Sequence, residues 1–427
     1  MQIINNPNRS EWPEILKRPT QTVDDIEGTV NQIFKDVQLN GDDAVKKYTL
    51  KFDAVSLESN VVSEKEISEA INAVPKKLQN AIKQAKRNIE VFHSAQKTTK
   101  IEIETTKGVQ CWQEKRPIQK VGLYIPSGTA PLFSTVLMLA VPAQIAGCKD
   151  IVLCSPPNKA GELAPEILFA AQLCGVTKII KVGGIQAIAG LTFGTESIPQ
   201  VYKIFGPGNQ FVTVAKQLAT KHGVAIDMPA GPSELLVVTD DSANAAYVAS
   251  DLLSQAEHGA DSQVILVSTS KNLLENVSEE IKTQIKVLPR QAIAEKAIAN
   301  SKLIYVENDE VALDLINEYG PEHFIICAKN DHLYVNGISN AGSVFIGNYT
   351  PESAGDYASG TNHTLPTNGF SKAYSGVNLD SFMKSMTFQK ISKEGLLNIG
   401  ETIELMAEAE GLQAHKNAVT IRLKDLK

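Results

Sequence analysis

VGLYI (121–125), IVLC (151–154), KIIKV (178–182), YKIF (202–205), LLVV (235–238), VILV (264–267), LIYV (303–306) and FIIC (324–327) decide the fold. Each run is short, apolar and rich in β-branched residues, and helical patterns separate most of them. Strands alternating with helices make βαβ units, whose parallel sheets are covered on both faces. Eight such strands exceed one ordinary open sheet. Two adjacent α/β domains are expected, with a break near Gly231-Pro232 or near Gly108–Pro117.

On the N-terminal side of these runs, residues 1 to about 105 read as helical. Ser63 and Glu66 have capping-box spacing, and Ile67, Ala70, Ile71 and Val74 follow at helical period. Pro75 interrupts, and a second helix runs from Leu78 to about Phe92 with Leu78, Ala81, Ile82, Ala85 and Ile89 on one face. On the C-terminal side, residues 350–380 form a Gly/Ser/Thr/Asn-rich loop carrying Asp, His and Tyr, a mixture that favours function. The tail from Ser392 begins as a helix (Leu396, Ile399, Ile403, Met406) and ends in a strand-like run, Ala418–Leu423. It is too small to be stable alone and must pack on the rest of the chain or on a partner.

The 427 residues suit about three domains, or two large ones. With 43% hydrophobic residues the chain can build a core, which excludes disorder for most of it. The net charge of −7 argues against a nucleic-acid or acidic-membrane partner. Cys111, Cys148, Cys154, Cys174 and Cys327 form no CxxC pair and read as reduced thiols. The N-terminus lacks a signal-peptide pattern, and the longest apolar stretch, Ser134–Gly147, is too short to span a bilayer. A cytoplasmic protein is expected.

Among seven histidines, His258, His323, His363 and His415 sit at element ends, where ligating and catalytic groups usually lie. His93, His222 and His332 are assigned to the surface. Gln255 and His258 are three residues apart at a helix end and offer an oxygen and an imidazole to one metal; the plainer reading is a polar last turn capped by Gly259. Glu322-His323 opens an apolar strand, and adjacent carboxylate and imidazole suit acid/base work; the alternative is a solvated turn. Pro351–His363 offers Asp356, Tyr357 and His363, or is a surface loop. Glu410–His415 otherwise reads as a helix cap. Gln, His, Asp and His together suit a four-ligand N/O zinc site, but spacing alone does not join them. No dinucleotide fingerprint or P-loop is present; the nearest match, IFGPGNQF (204–211), follows a strand and opens a helix.

Eight stretches together resemble the histidinol dehydrogenase family over nearly the whole chain: GLYIPSGTAPLFSTVLM (122–138), VGGIQAIAGLTFGT (182–195), IFGPGNQFVTVAK (204–216), DMPAGPSELLVV (227–238), LLSQAEHGADSQVIL (252–266), YGPEHF (319–324), PESAGDYASGTNHTLPT (351–367) and AEGLQAHKNAV (409–419). The resemblance implies an NAD-dependent four-electron dehydrogenase of a primary alcohol. It oxidises L-histidinol through bound L-histidinal to L-histidine with two NAD, at the end of histidine biosynthesis. It implies one zinc per subunit and an intertwined homodimer of two incomplete Rossmann-like α/β domains. The expected layout is an N-terminal arm (1–23), a first α/β domain (24–117 plus 233–377), a second (118–232) and a dimerisation extension (378–427).

By the same resemblance the zinc ligands are Gln255, His258, Asp356 and His415, the last supplied across the dimer interface. NAD contacts fall on Tyr124, Gln186 and Asn209. Substrate contacts fall on Ser233, Gln255, His258, His323, Asp356, His363, Glu410 and His415. Glu322 and His323 match the acid/base pair: His323, neutral, accepts protons at each hydride transfer, and Glu322 activates water on the aldehyde. Ser127 and Ile185 stand where Gly and Ala are common, beside the cofactor site. Rival readings are a metal-dependent hydrolase with Glu322 as base, a dehydrogenase of a related amino alcohol, and a non-catalytic ligand-binding protein. A thiolate trap on Cys111 or Cys148 is a further mechanistic alternative.

Overall fold

The computed structural model describes residues 1–19, 24–127, 131–229 and 231–426. The end of the expected 1–23 arm, residues 128–130 of the 122–138 stretch and Ala230 of the 227–238 stretch lie outside the described residues. The chain divides into two units, residues 1–96 with 118–382, and residues 97–117 with 383–427.

All eight expected strands are present, in two fully parallel sheets of the first unit. The five-stranded sheet has the order Lys178–Lys181, Asp150–Ser155, Lys120–Tyr124, Lys203–Phe205, Ala225–Ile226. The six-stranded sheet has the order Gln2–Asn5, Lys302–Tyr305, Gln263–Ser268, Glu234–Thr239, His323–Cys327, Ser343–Ile346. Apart from its first edge strand, the larger sheet repeats the plan of the smaller. The first strand of the run is central, the next two lie to one side and the last two to the other. The order thus reverses at Lys120–Tyr124 and at Glu234–Thr239, the switch points where α/β sheets open a crevice. The central runs are buried on both faces, as their unbroken apolar sequences require.

The edge strand Gln2–Asn5 lies in the region read as helical. It is mostly exposed and, at four residues, too short to show a period; its pairing with Lys302–Tyr305 makes it a strand. The Ser63/Glu66 capping box forms as expected, with Ser63 Oγ accepting from Glu66 N at 3.2 Å and the Glu66 carboxylate accepting from Ser63 N at 2.8 Å. Residues 24–117 are expected with 233–377, yet the helices among them pack elsewhere. Ile33 and Val45 of Asp24–Asp53 join Val152, Ile180 and Ile188, while Ile82 and Ile89 of Lys76–Ser94 join Leu123 and Leu139. Their apolar stripes are thus buried against the five-stranded sheet and its helices.

His93 is not on the surface. It continues the Ile82, Ala85, Ile89 stripe by one further turn and is fully buried, with Nδ1 2.9 Å from the Ile89 carbonyl oxygen. Its Nε2 lies 3.4 Å from Asn362 Nδ2, so it braces the segment that carries His363.

The second unit is a three-stranded antiparallel sheet, Met383–Ile391, Val109–Pro117, Ile101–Thr106, with helices Lys393–Ala409 and Gln413–Lys424. Ile101–Thr106 lies at the end of the region read as helical; the alternation in IEIE marks a strand. The run Ala418–Leu423 is helical rather than strand-like. Lys416, Val419, Thr420 and Leu423 are its half-buried positions, a helical period, and Leu423 packs over Gly400. No helix among the described residues is long and apolar enough to cross a membrane.

Candidate active site

Two cavities open between the sheets of the first unit, and both are lined by Pro126 and Asn209. The first, about 300 Å³, is lined by Ser233, Gln255, His258, Glu322, His323, Asp356 and His363 among others. The second, about 520 Å³, is lined by Tyr124 and Gln186, with Ser127 and Ile185 also in its wall. Every expected catalytic, metal, substrate and cofactor residue of the first unit therefore lines one of two cavities that share Pro126 and Asn209. Glu410 and His415 lie in the second unit and are exposed.

The second cavity sits at the carboxyl end of the central Lys120–Tyr124 strand, as the switch-point rule requires. Helices Gly184–Phe193 and Gln210–Lys221 begin there, presenting free amides and the positive ends of their dipoles. The Tyr124 hydroxyl accepts from Gly184 N at 3.1 Å, and Asn209 Oδ1 caps its helix by accepting from Val212 N at 3.1 Å. Gln186 is fully buried, and neither atom of its amide has a partner. A buried amide left unpaired is costly, and a ligand in this cavity would satisfy it.

The turn between the cavities depends on Gly206, at φ 121°, where a Cβ would meet the Tyr124 carbonyl oxygen at 2.1 Å. Gly206 N donates to Asp227 Oδ2 at 2.8 Å and its carbonyl accepts from Lys216 Nζ at 2.8 Å. Lys216 and Asp227 form a buried ion pair at 2.5 Å. Lys216→Met should therefore destabilise the protein by about 3–5 kcal/mol, because it strands the Asp227 charge. Chemical denaturation checks this; a loss below about 1 kcal/mol would show that the pair does not hold the turn.

The first cavity departs from the rule. Glu322 and His323 open their strand, so this chemistry lies at the amino edge of the six-stranded sheet rather than its carboxyl edge. His323 is the centre of the cluster. Its Nδ1 is 3.0 Å from Gln255 Nε2 and 3.2 Å from the Glu234 carbonyl oxygen. Glu322 lies 3.7 Å and Glu352 4.0 Å from Nδ1, and Asp356 lies 3.7 Å from Nε2. His363 joins through Asp356, with Nδ1 3.0 Å from its carbonyl oxygen, and is backed by Thr135 at 3.1 Å.

Burial pushes the Glu322 carboxyl up to about 8, against the pull of His323 and the Glu234 amide. Burial alone would lower His323, but Glu352, Glu322 and Asp356 push it up to about 10. In this arrangement the neighbouring Glu352, Glu322 and Asp356 groups favour the protonated form of His323. Burial lowers His258 and His363, leaving both as neutral imidazoles suited to ligation. For Asp356, burial raises the pKa, but the hydrogen bond and charge of His323 outweigh it and lower the group.

Glu352 is the member that sequence alone did not single out. It is 1% exposed, its Oε2 has no partner, and its pKa is raised by burial. The stretch read as loop is helical over Glu352–Tyr357, which puts Glu352 and Asp356 four residues apart on one face. Ligand atoms of His323, Glu352 and Asp356 lie within 4.8 Å of one another. His323 Nε2 is likewise buried without a hydrogen-bond partner. Unsatisfied imidazole and carboxylate atoms in one buried cluster fit a divalent cation of the zinc type. Of the expected ligands, Asp356 belongs to this convergent group, Gln255 turns to His323, and His258 lines the same cavity.

Cys148 lines neither cavity, and burial pushes its thiol up to about 12; Cys111 lines neither cavity either. A thiolate trap has no support here.

Comparison with known proteins agrees with these features. Residues 16–423 match the family model described as histidinol dehydrogenase. A histidinol dehydrogenase of Bacteroides fragilis is 59% identical over the whole of both chains. One from Shigella dysenteriae is 51% identical over 99% of this chain and 97% of its own. The crystal structure of histidinol dehydrogenase from Elizabethkingia anophelis superposes with a TM-score of 0.97 at 54% identity, covering 100% of this chain and 98% of that one. The chain belongs to the histidinol dehydrogenase family.

Proposed function

We propose that this protein oxidises L-histidinol through enzyme-bound L-histidinal to L-histidine, reducing two NAD, in histidine biosynthesis. The observation that carries this reading is the pair of cavities that share Pro126 and Asn209 in their walls. One holds an imidazole–carboxylate cluster around His323; the other opens onto two helix N-termini and an unpartnered Gln186. An NAD held in the second cavity would lie against Pro126 and Asn209, which also line the first, and would supply the hydride acceptor.

Zinc is the metal that the N/O donor set favours, with Asp356 and His258 as ligands in the first unit, Gln255 beside them and His415 from a partner subunit. Bound zinc would serve as a template orienting the substrate, with some Lewis-acid help. Asp356, one of the residues that would hold the metal, lies 3.7 Å from His323 Nε2, so a bound cation would offset its charge there and favour His323 as a base. His323 then takes the alcohol proton as hydride leaves. Glu322, 3.7 Å away, draws a proton from the water that hydrates the aldehyde. His323 returns its proton to the carbonyl oxygen as the water adds, and accepts another from the gem-diol at the second hydride transfer. Ser233, His363 and Glu410 contact substrate, and the aldehyde stays bound between the two oxidations.

A homodimer accounts for Glu410 and His415, exposed in the second unit beside the exposed apolar side chains Leu405, Met406, Leu412 and Ile421. Such a patch suits a second copy of the chain. A metal-dependent hydrolase has no use for the second cavity.

The metal is tested by chelation. Protein stripped by a chelator should lose histidinol oxidation and recover it with Zn²⁺. Full activity in protein shown by elemental analysis to be metal-free would refute the zinc reading.

A further inference from the structure

We propose that Asp53 selects the cofactor, its carboxylate accepting hydrogen bonds from the adenosine ribose hydroxyls of NAD and turning away the 2′-phosphate of NADP. This rests on the reading of the second cavity as the dinucleotide site. Asp53 ends the helix Asp24–Asp53 and lines that cavity, yet the fold gives it no reason to be there. A carboxylate at a helix C-terminus faces carbonyl oxygens and the negative end of the dipole. Its Oδ2 is buried without a hydrogen-bond partner, and burial pushes the group up to about 6. It therefore carries a desolvation cost that a ligand with hydroxyl donors would offset.

The cavity has the polarity such a ligand needs. At one end, Gly184 and Asn209 stand at the starts of two helices, where a diphosphate finds amides. Phe52 and Phe211, both exposed, supply aromatic surface for a base. Asp53 is the one charged side chain among the described lining residues; Lys51 lies outside the lining, its Nζ 5.4 Å from the centre of the Phe52 ring. A carboxylate without a cation accepts vicinal hydroxyls and repels a phosphate dianion, the same logic by which other dinucleotide sites discriminate.

The test is calorimetric titration of the full-length, zinc-loaded protein with NAD⁺ and with NADP⁺, compared with D53N and D53S. Wild type should prefer NAD⁺ by well over tenfold, and each variant should cut that preference by about tenfold or more. NADP⁺ should gain affinity as NAD⁺ loses it. Thermal melts confirm folding, and D53E should retain the preference. An unchanged NAD⁺/NADP⁺ ratio in the folded variants would overturn the role of Asp53. If wild type binds neither dinucleotide, the cofactor reading falls and this proposal with it.

Discussion

His323→Asn should slow NADH formation from histidinol by about 10²–10⁴-fold, the usual contribution of a positioned acid/base group. The side chain is 4% exposed, and three carboxylates lie within 4.0 Å of its ring nitrogens. Asn keeps an amide able to meet Gln255 and the Glu234 carbonyl, but it cannot take or return a proton. Dinucleotide affinity should be unchanged, because Tyr124, Gln186 and Asn209 are untouched. Turnover measured beside NAD⁺ titration separates chemistry from binding. Activity within about tenfold of wild type, with zinc content preserved, would remove His323 from the proton path.

Glu322→Gln should divide the reaction. If this carboxylate serves only to activate water, histidinal oxidation falls by about 10²–10⁴-fold while the first hydride transfer is largely retained. The geometry favours that division: Glu322 accepts from Glu234 N at 2.8 Å and lies beside Nδ1, while Asp356 lies beside Nε2. The pH dependence has a definite sign. With the carboxyl held up near 8, Glu322 carries a proton below that pH and is a base above it, so aldehyde oxidation should rise as pH climbs through about 8. Single-turnover measurements from histidinol and from histidinal read the two steps separately. Equal loss in both would reject the assignment.

The sheets were legible because central strands buried on both faces must be written as unbroken apolar runs, as LLVV and VILV are. Edge and hairpin strands obey no such constraint. Gln2–Asn5 is a strand only because Lys302–Tyr305 offers its edge, a long-range fact that no local pattern carries. The tail misled for a related reason: β-branched residues at 419–421 suggest extension, but packing over Gly400 decides for a helix.

The site was legible by residue type and by family resemblance, not by spacing. Gln255, His323 and Asp356 come from a helix end, a strand start and a short helix, and only the sheet topology brings them together. Glu352 was hidden because its six-residue helix carries glycine and a Ser-Ala pair that read as loop. His93 was hidden because a histidine among lysines looks solvated, although its place in the stripe fixes it inside. The electrostatic surroundings of His323 cannot be read from sequence at all, since they depend on carboxyl groups that are distant in the chain or, like Glu322, are oriented by the fold.

The most direct measurement is the stoichiometry of NADH per L-histidinol consumed by the zinc-loaded protein, with the product identified. Two NADH and one L-histidine are expected, with no free histidinal. No NADH from folded, zinc-replete protein, or one NADH with histidinal released to solvent, would contradict the four-electron oxidation.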